Sequence, residues 1–314
     1  MHDHDHSELD HHTHDIADDA DRRYLTLALV LLLAYMALEV TVGILVSSLA
    51  LLTDAGHMLT DAGAIALALV AMRLARRPAS GHFTYGFKRA EILSAQANGL
   101  TLLLLAIVFG IEAVRRLVYP PVVDGAWVTV VALAGIVVNL LAVWIMGKAN
   151  RRSLNVEGSF QHILTDLYAF IATAVAGAVI WLTGWYRADA LAALVVAVLM
   201  FRAGYGLVRA SGRIFLEAAP SDLHPDAIDA AMLAMPHVTR IDDLHVWEVT
   251  SGMPALSAHV IVSLDVDCHD VRRDIEVMLK DRFDIRHTTL QTDHGETGDS
   301  AAGIRCAFGH EHHH

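Results

Sequence analysis

Asp54-Ala55-Gly56-His57-Met58-Leu59-Thr60-Asp61 sets a histidine and an aspartate four residues apart inside a long apolar run, and Gln161-His162-Ile163-Leu164-Thr165-Asp166 repeats the pair. An i, i+4 spacing places both side chains of each pair on one helix face. Two such helices facing one another supply two imidazoles and two carboxylates, the donor set of a four-coordinate zinc site. An ionisable group at bilayer depth costs roughly 2.5–3.5 kcal/mol on insertion scales, so it needs a partner or a function. The repeated motif provides both.

Outward from these motifs the chain is apolar. Of its 314 residues 54% are hydrophobic, and the mean hydropathy is +0.43. Six apolar stretches approach the ~20 residues that a bilayer core requires: 24–46, 49–74, 92–118, 127–148, 156–183 and 188–208. At 1.5 Å per residue, His57 lies about 12 Å and Asp61 about 18 Å down the second span. His162 and Asp166 lie about 9 and 15 Å up the fifth, which runs the other way. In a core about 30 Å thick all four fall in one layer. Ala55, Gly56, Ala62, Gly63 and Ala64 let neighbouring helices come close. Glu39, Asn98, Glu112 and Asn139 are read as structural groups that pair across helices, and Asp54 as a residue lining the route.

Lys and Arg set the orientation. Arg22, Arg23, Arg73, Arg76, Arg77, Lys88, Arg89, Lys148, Arg151, Arg152, Arg209 and Arg213 gather on one side, against Arg115, Arg116 and Arg187 on the other. Both termini are therefore expected in the cytoplasm. The net charge of −12 does not point to nucleic acid. Cys268 and Cys306 are too few for a disulfide framework.

The organisation expected is a disordered His/Asp-rich tail over 1–21, a six-span domain over 22–208, a small cytoplasmic domain over 209–294, and a C-terminal tail over 295–314. The first tail holds six histidines and has too little apolar surface for a core. In the third segment, helical patterns at 225–235 and 270–283 and strand patterns at 241–249, 255–264 and 288–292 give the order helix-strand-strand-helix-strand, a small α+β domain. His245 and His259 flank a turn at Ser251-Gly252-Met253-Pro254, which predicts cross-strand neighbours within one residue of register.

Zinc binds neutral imidazole and ionised carboxylate, so its binding releases protons. Histidine, with an unperturbed pKa of about 6.5, switches near neutral pH. A site loaded with zinc from one side and with protons from the other would exchange them. No His-Glu-x-x-His signature of a zinc protease is present, and four protein ligands leave no position for a catalytic water. The chain is therefore not read as an enzyme. A membrane zinc sensor without transport is the alternative to an antiporter.

These residues resemble the cation diffusion facilitators, and within them the bacterial zinc exporters. The resemblance is carried by 51–61, by His162 to Asp166, by Asp243-Leu244-His245-Val246-Trp247, by Leu256-Ser257-Ala258-His259-Val260 and by His287-Thr288-Thr289-Leu290-Gln291, and it spans roughly 22–294. It implies a homodimer in the bacterial inner membrane that exports Zn2+ against H+, with six helices per protomer and a ferredoxin-like cytoplasmic domain. His at position 57 goes with a preference for zinc over cadmium. His259 and Asp293 fall where family members bind regulatory zinc, and His245 and His287 are further candidates.

Overall fold

The structure is a computed structural model that describes residues 7–45, 49–121, 125–149 and 153–295; the side chains of 7–20, 39, 42–45, 49–57 and 60 lie outside the described residues. Six long helices come first: α1 Ser7–Leu45, α2 Leu49–Ala75, α3 Ala90–Val118, α4 Gly125–Met146, α5 Leu154–Thr183 and α6 Arg187–Phe215. None of the seven prolines falls inside them. That suits segments whose backbone polar groups must be satisfied internally in lipid. Among the described residues, α3, α4, α5 and α6 are long and apolar enough to cross a membrane. The helices begin and end within two residues of the expected stretches, except at the start of α1 and at the end of α6, which runs on to Phe215.

One expectation is corrected here. Residues 7–21, read as a disordered tail, continue α1 as helix to Ser7. The apolar span supplies the costly nucleus, from which each further turn adds one backbone hydrogen bond per residue fixed. Residues 1–6 and 296–314, including Cys306 and the terminal histidines, lie outside the described residues.

The chain divides into two units, at Gly212 and Arg213 rather than at 208 and 209. In the first, Leu25 and Leu32 of α1, Ile65 and Met72 of α2, Met146 of α4 and Ile163 of α5 share one buried cluster. Leu102 and Ala106 of α3 share another with Val196, Met200 and Leu207 of α6. The outward faces stay apolar: Leu104, Ile111, Val137, Val175 and Val198 are exposed, as lipid-facing surface requires. Tyr119, Trp127, Trp181 and Trp185 are exposed at one end of these helices, the position of an interfacial aromatic belt.

Small residues bring helices together. A Cβ on Gly204 of α6 would sit 2.8 Å from the Gly99 carbonyl oxygen of α3. Ser211 of α6 also hydrogen-bonds Gln96 of α3. Two expected cross-helix groups behave differently. Asn139 donates to the Gly135 carbonyl of its own helix at 3.1 Å. Glu112 pairs with Arg116 one turn on in α3, and it is Arg116 that reaches Asp189 of α6 at 3.3 Å. Glu39 lies outside the described side chains.

The second unit has the expected order: α7 Pro225–Leu233, β1 Val238–Glu248, β2 Pro254–Val262, α8 Cys268–Phe283 and β3 His287–His294. The sheet runs β1-β2-β3, with β1 antiparallel and β3 parallel to β2. This is the ferredoxin-like succession without its opening strand. Alternation along β2 turns Leu256, Ala258, Val260 and Val262 into a core shared with Ile228 and Met232 of α7 and Val271, Ile275 and Leu279 of α8. Ser257 and His259 take the opposite face.

Candidate metal centre

Two hydrogen bonds fix how α2 meets α5. His162 Nε2–H donates to Asp61 Oδ1 at 2.7 Å, and Asn155 Nδ2 donates to the Ala68 carbonyl at 2.9 Å. Seven residues forward on α2 match seven backward on α5, the signature of an antiparallel pair in register. His162 and Asp166 share a face of α5 because they lie four residues apart. The structure accordingly brings Asp61, His162 and Asp166 into one group, with a donor atom from each within 4.8 Å of the others. The His57 and Asp54 side chains lie outside the described residues. Continuing the same register four residues backward along α2 sets position 57 level with Asp166.

The His162 side chain is 2% exposed and that of Asp61 19%. Two carboxylates and one imidazole so enclosed carry negative charge that water screens poorly, and a divalent cation is the natural counter-charge. His162 Nδ1 is buried and finds no hydrogen-bond partner among the described residues.

In the second unit the expected residues only partly converge. His259 Nε2–H donates to Asp293 Oδ2 at 2.7 Å, and Gln291 donates to the same oxygen at 3.1 Å. The His259 hydrogen bond holds the Asp293 carboxyl below its ordinary range. His245 is not the near cross-strand neighbour expected of it. It stands opposite Ser257, while His259 stands opposite Asp242. Between these pairs β1 spends one residue more than β2, a bulge in which Asp243 takes φ 57°. His245 instead donates to Asp243 Oδ1 at 3.1 Å. His287 stands opposite Ala255, and Gln291 opposite His259. That separates His287 from His259 by four strand positions, about 13 Å.

The sequence reading passed over Asp267, Cys268 and His269, which also offer donor atoms within 4.8 Å of one another. Asp267 is the N-cap of α8 and accepts from the His269 backbone N–H at 2.8 Å. Three consecutive ligand-type residues were the available signal.

Comparison with known proteins agrees with this architecture. A family described as the cation efflux transmembrane domain matches residues 25–216, and the cation efflux protein cytoplasmic domain matches residues 220–295. The cadmium, cobalt and zinc/H(+)-K(+) antiporter of Bacillus velezensis is 35% identical, over 89% of this chain and 91% of that protein. The zinc transporter ZitB of Escherichia coli K12 is 34% identical over 99% of each chain. A solved structure, the metal-bound C-terminal domain of the CzcD transporter from Cuprividus metallidurans, is 35% identical, covering 23% of this chain and 99% of that one, with a TM-score of 0.22. With both halves of the family's architecture matched in order and relatives aligned over nearly their whole length, the chain belongs to the cation efflux family, the cation diffusion facilitators.

Proposed function

We propose that this protein is a proton-coupled exporter of zinc, working as a homodimer in the bacterial inner membrane with six spans per protomer and both termini in the cytoplasm. The observation that carries the reading is the convergence of Asp61, His162 and Asp166 from two antiparallel helices. His57 completes the cargo site as the fourth ligand, which the helix register supports. Zinc displaces the proton on His162 when it enters, and protons displace zinc when the site opens to the other side. The names of the relatives from Bacillus velezensis and Escherichia coli support zinc as cargo, and the first supports H+ as counter-ion. His259 and Asp293 form the nucleus of a regulatory zinc site in the cytoplasmic domain.

Purified protein in liposomes, with a zinc dye inside and an imposed pH gradient, tests this directly. Zinc flux that follows the gradient is expected. Asp61→Asn, which keeps shape and removes charge, should lower flux by more than the about 10–100-fold that loss of an outer-shell partner costs a metal site. Zinc binding without flux would instead favour a membrane zinc sensor.

A further inference from the structure

Outside the cation-binding cluster itself, three buried polar atoms have no hydrogen-bond partner among the described residues: Ser94 Oγ, Asn98 Nδ2 and Asn155 Oδ1; His162 Nδ1 is the fourth. The residues are 3%, 2%, 0% and 2% exposed respectively. They are not scattered. Asn155, Gly158 and His162 follow one another at three and four residues, so they form one stripe of α5, about 10 Å long. Ser94 and Asn98 lie four apart on α3. The two stripes meet at Gly158, where Asn98 Nδ2 lies 3.7 Å from the point a Cβ would occupy. Leu207 of α6 closes the side of this space, its methyls 3.6 Å from the same point. At the end of α5 away from His162, Ser153 Oγ donates to Glu91 Oε2 at 3.1 Å, so α3 and α5 begin together at a polar mouth.

Buried polar atoms are nearly always paired, and ordered water is the usual partner where the protein provides none. Backbone and side chains at membrane depth tolerate such gaps where they line water. We propose that Ser94, Asn98 and Asn155 hold a file of ordered water between α3 and α5, and that this file is the aqueous path joining the Ser153 end of α5 to His162. All three residues are uncharged. They can hydrogen-bond water in either sense without trapping the cation on its way. Gly158, having no side chain, leaves open the point where the two stripes meet. The assignment rests on the reading of Asp61, His162 and Asp166 as the cargo site.

Accessibility tests the path apart from transport. In full-length protein with Cys268→Ser and Cys306→Ser, the single variants Ser94→Cys, Asn98→Cys and Asn155→Cys are reconstituted and exposed to a small hydrophilic methanethiosulfonate, with labelling read by mass spectrometry. Ile163→Cys, on the same helix and 0% exposed, is the dry control. Only a hydrated thiol ionises and reacts readily, so labelling at 98 and 155 should exceed that at 163 by at least about tenfold. Labelling no faster than at 163 overturns the file. Gly158→Ala covers the case in which those variants fail to fold, since its methyl meets neighbours only at ordinary contact distance. It should slow zinc flux roughly tenfold, a loss of the size one hydrogen bond carries, while zinc affinity at equilibrium stays unchanged. Unaltered flux also overturns the file. Wild-type protein that binds no zinc would refute the cargo site, and the labelling pattern would then still decide whether water is present.

Discussion

The bond from His162 to Asp61 joins side chains 101 residues apart, and both had been singled out from their spacing alone. Residues of this kind are legible because lipid makes them conspicuous: a carboxylate or an imidazole in a run of Leu, Ala and Val has few structural reasons to be there. Polar groups without charge were harder to read. Asn98 looked like a cross-helix partner, yet its amide nitrogen is unpaired among the described residues. Nothing in the sequence around it distinguishes that outcome from the self-capping of Asn139. Glu248, at the end of β1, went unremarked, although burial pushes its carboxyl up, with the nearby Asp222 adding to the effect. Its folded pKa therefore exceeds its unfolded value, the folded state holds the proton more tightly, and stability falls as pH rises through the interval above 4.5. Glu248→Gln keeps an oxygen for the Gly252 N–H and cannot ionise. We expect it to raise the unfolding temperature of the cytoplasmic domain near pH 7, with the difference shrinking toward pH 4, as followed by thermal unfolding across that range.

Helices were easier to foresee than the contacts between their neighbours. Length and apolarity gave six stretches whose limits differ from α1–α6 at the start of α1, where the polar segment from Ser7 joins the helix, and at the end of α6, which runs to Phe215. The strands were placed nearly as well, because β2 alternates cleanly. The β1 bulge was not foreseen, since it depends on Asp243 entering the left-handed region, a conformation that Asp tolerates but does not announce. That one residue moved His245 out of the position expected for it. The glycines of α6 separate in the same way. Gly204 meets backbone of α3 at 2.8 Å, whereas Gly206, two residues on and so on the opposite face, has nothing within 4 Å. Gly204→Ala should cost about 1–3 kcal/mol, since backbone cannot move aside as a side chain can. Gly206→Ala should gain about 0.5–1 kcal/mol from helix propensity. Thermal unfolding of the two variants in detergent distinguishes them, and equal effects would mean that α3 and α6 do not meet at Gly204.

The two units hold different ligand-type groups, the Asp61–His162–Asp166 cluster in the first and the His259–Asp293 pair in the second. A regulatory ion in the second can alter transport only by binding two states of the protein unequally. His259→Ala should therefore raise the zinc concentration for half-maximal flux and leave the maximal rate nearly unchanged; a superimposable concentration curve would remove the regulatory role. At this level the sequence conveyed most: the order of elements and the family. Relative placement of distant strand residues was beyond it, as His287 illustrates, because a parallel crossover leaves register to the packing of α8. The division of the Asp61–His162–Asp166 cluster between helices has a mechanical consequence. Asp61 rides on α2 and His162 and Asp166 on α5, so an ion held by them would act as a rivet through the seam between the two helices. Sliding one helix past the other by a single turn, about 5.4 Å, would shear the rivet and let the ion go, and a protein loaded there would be stiffer along that seam than an empty one.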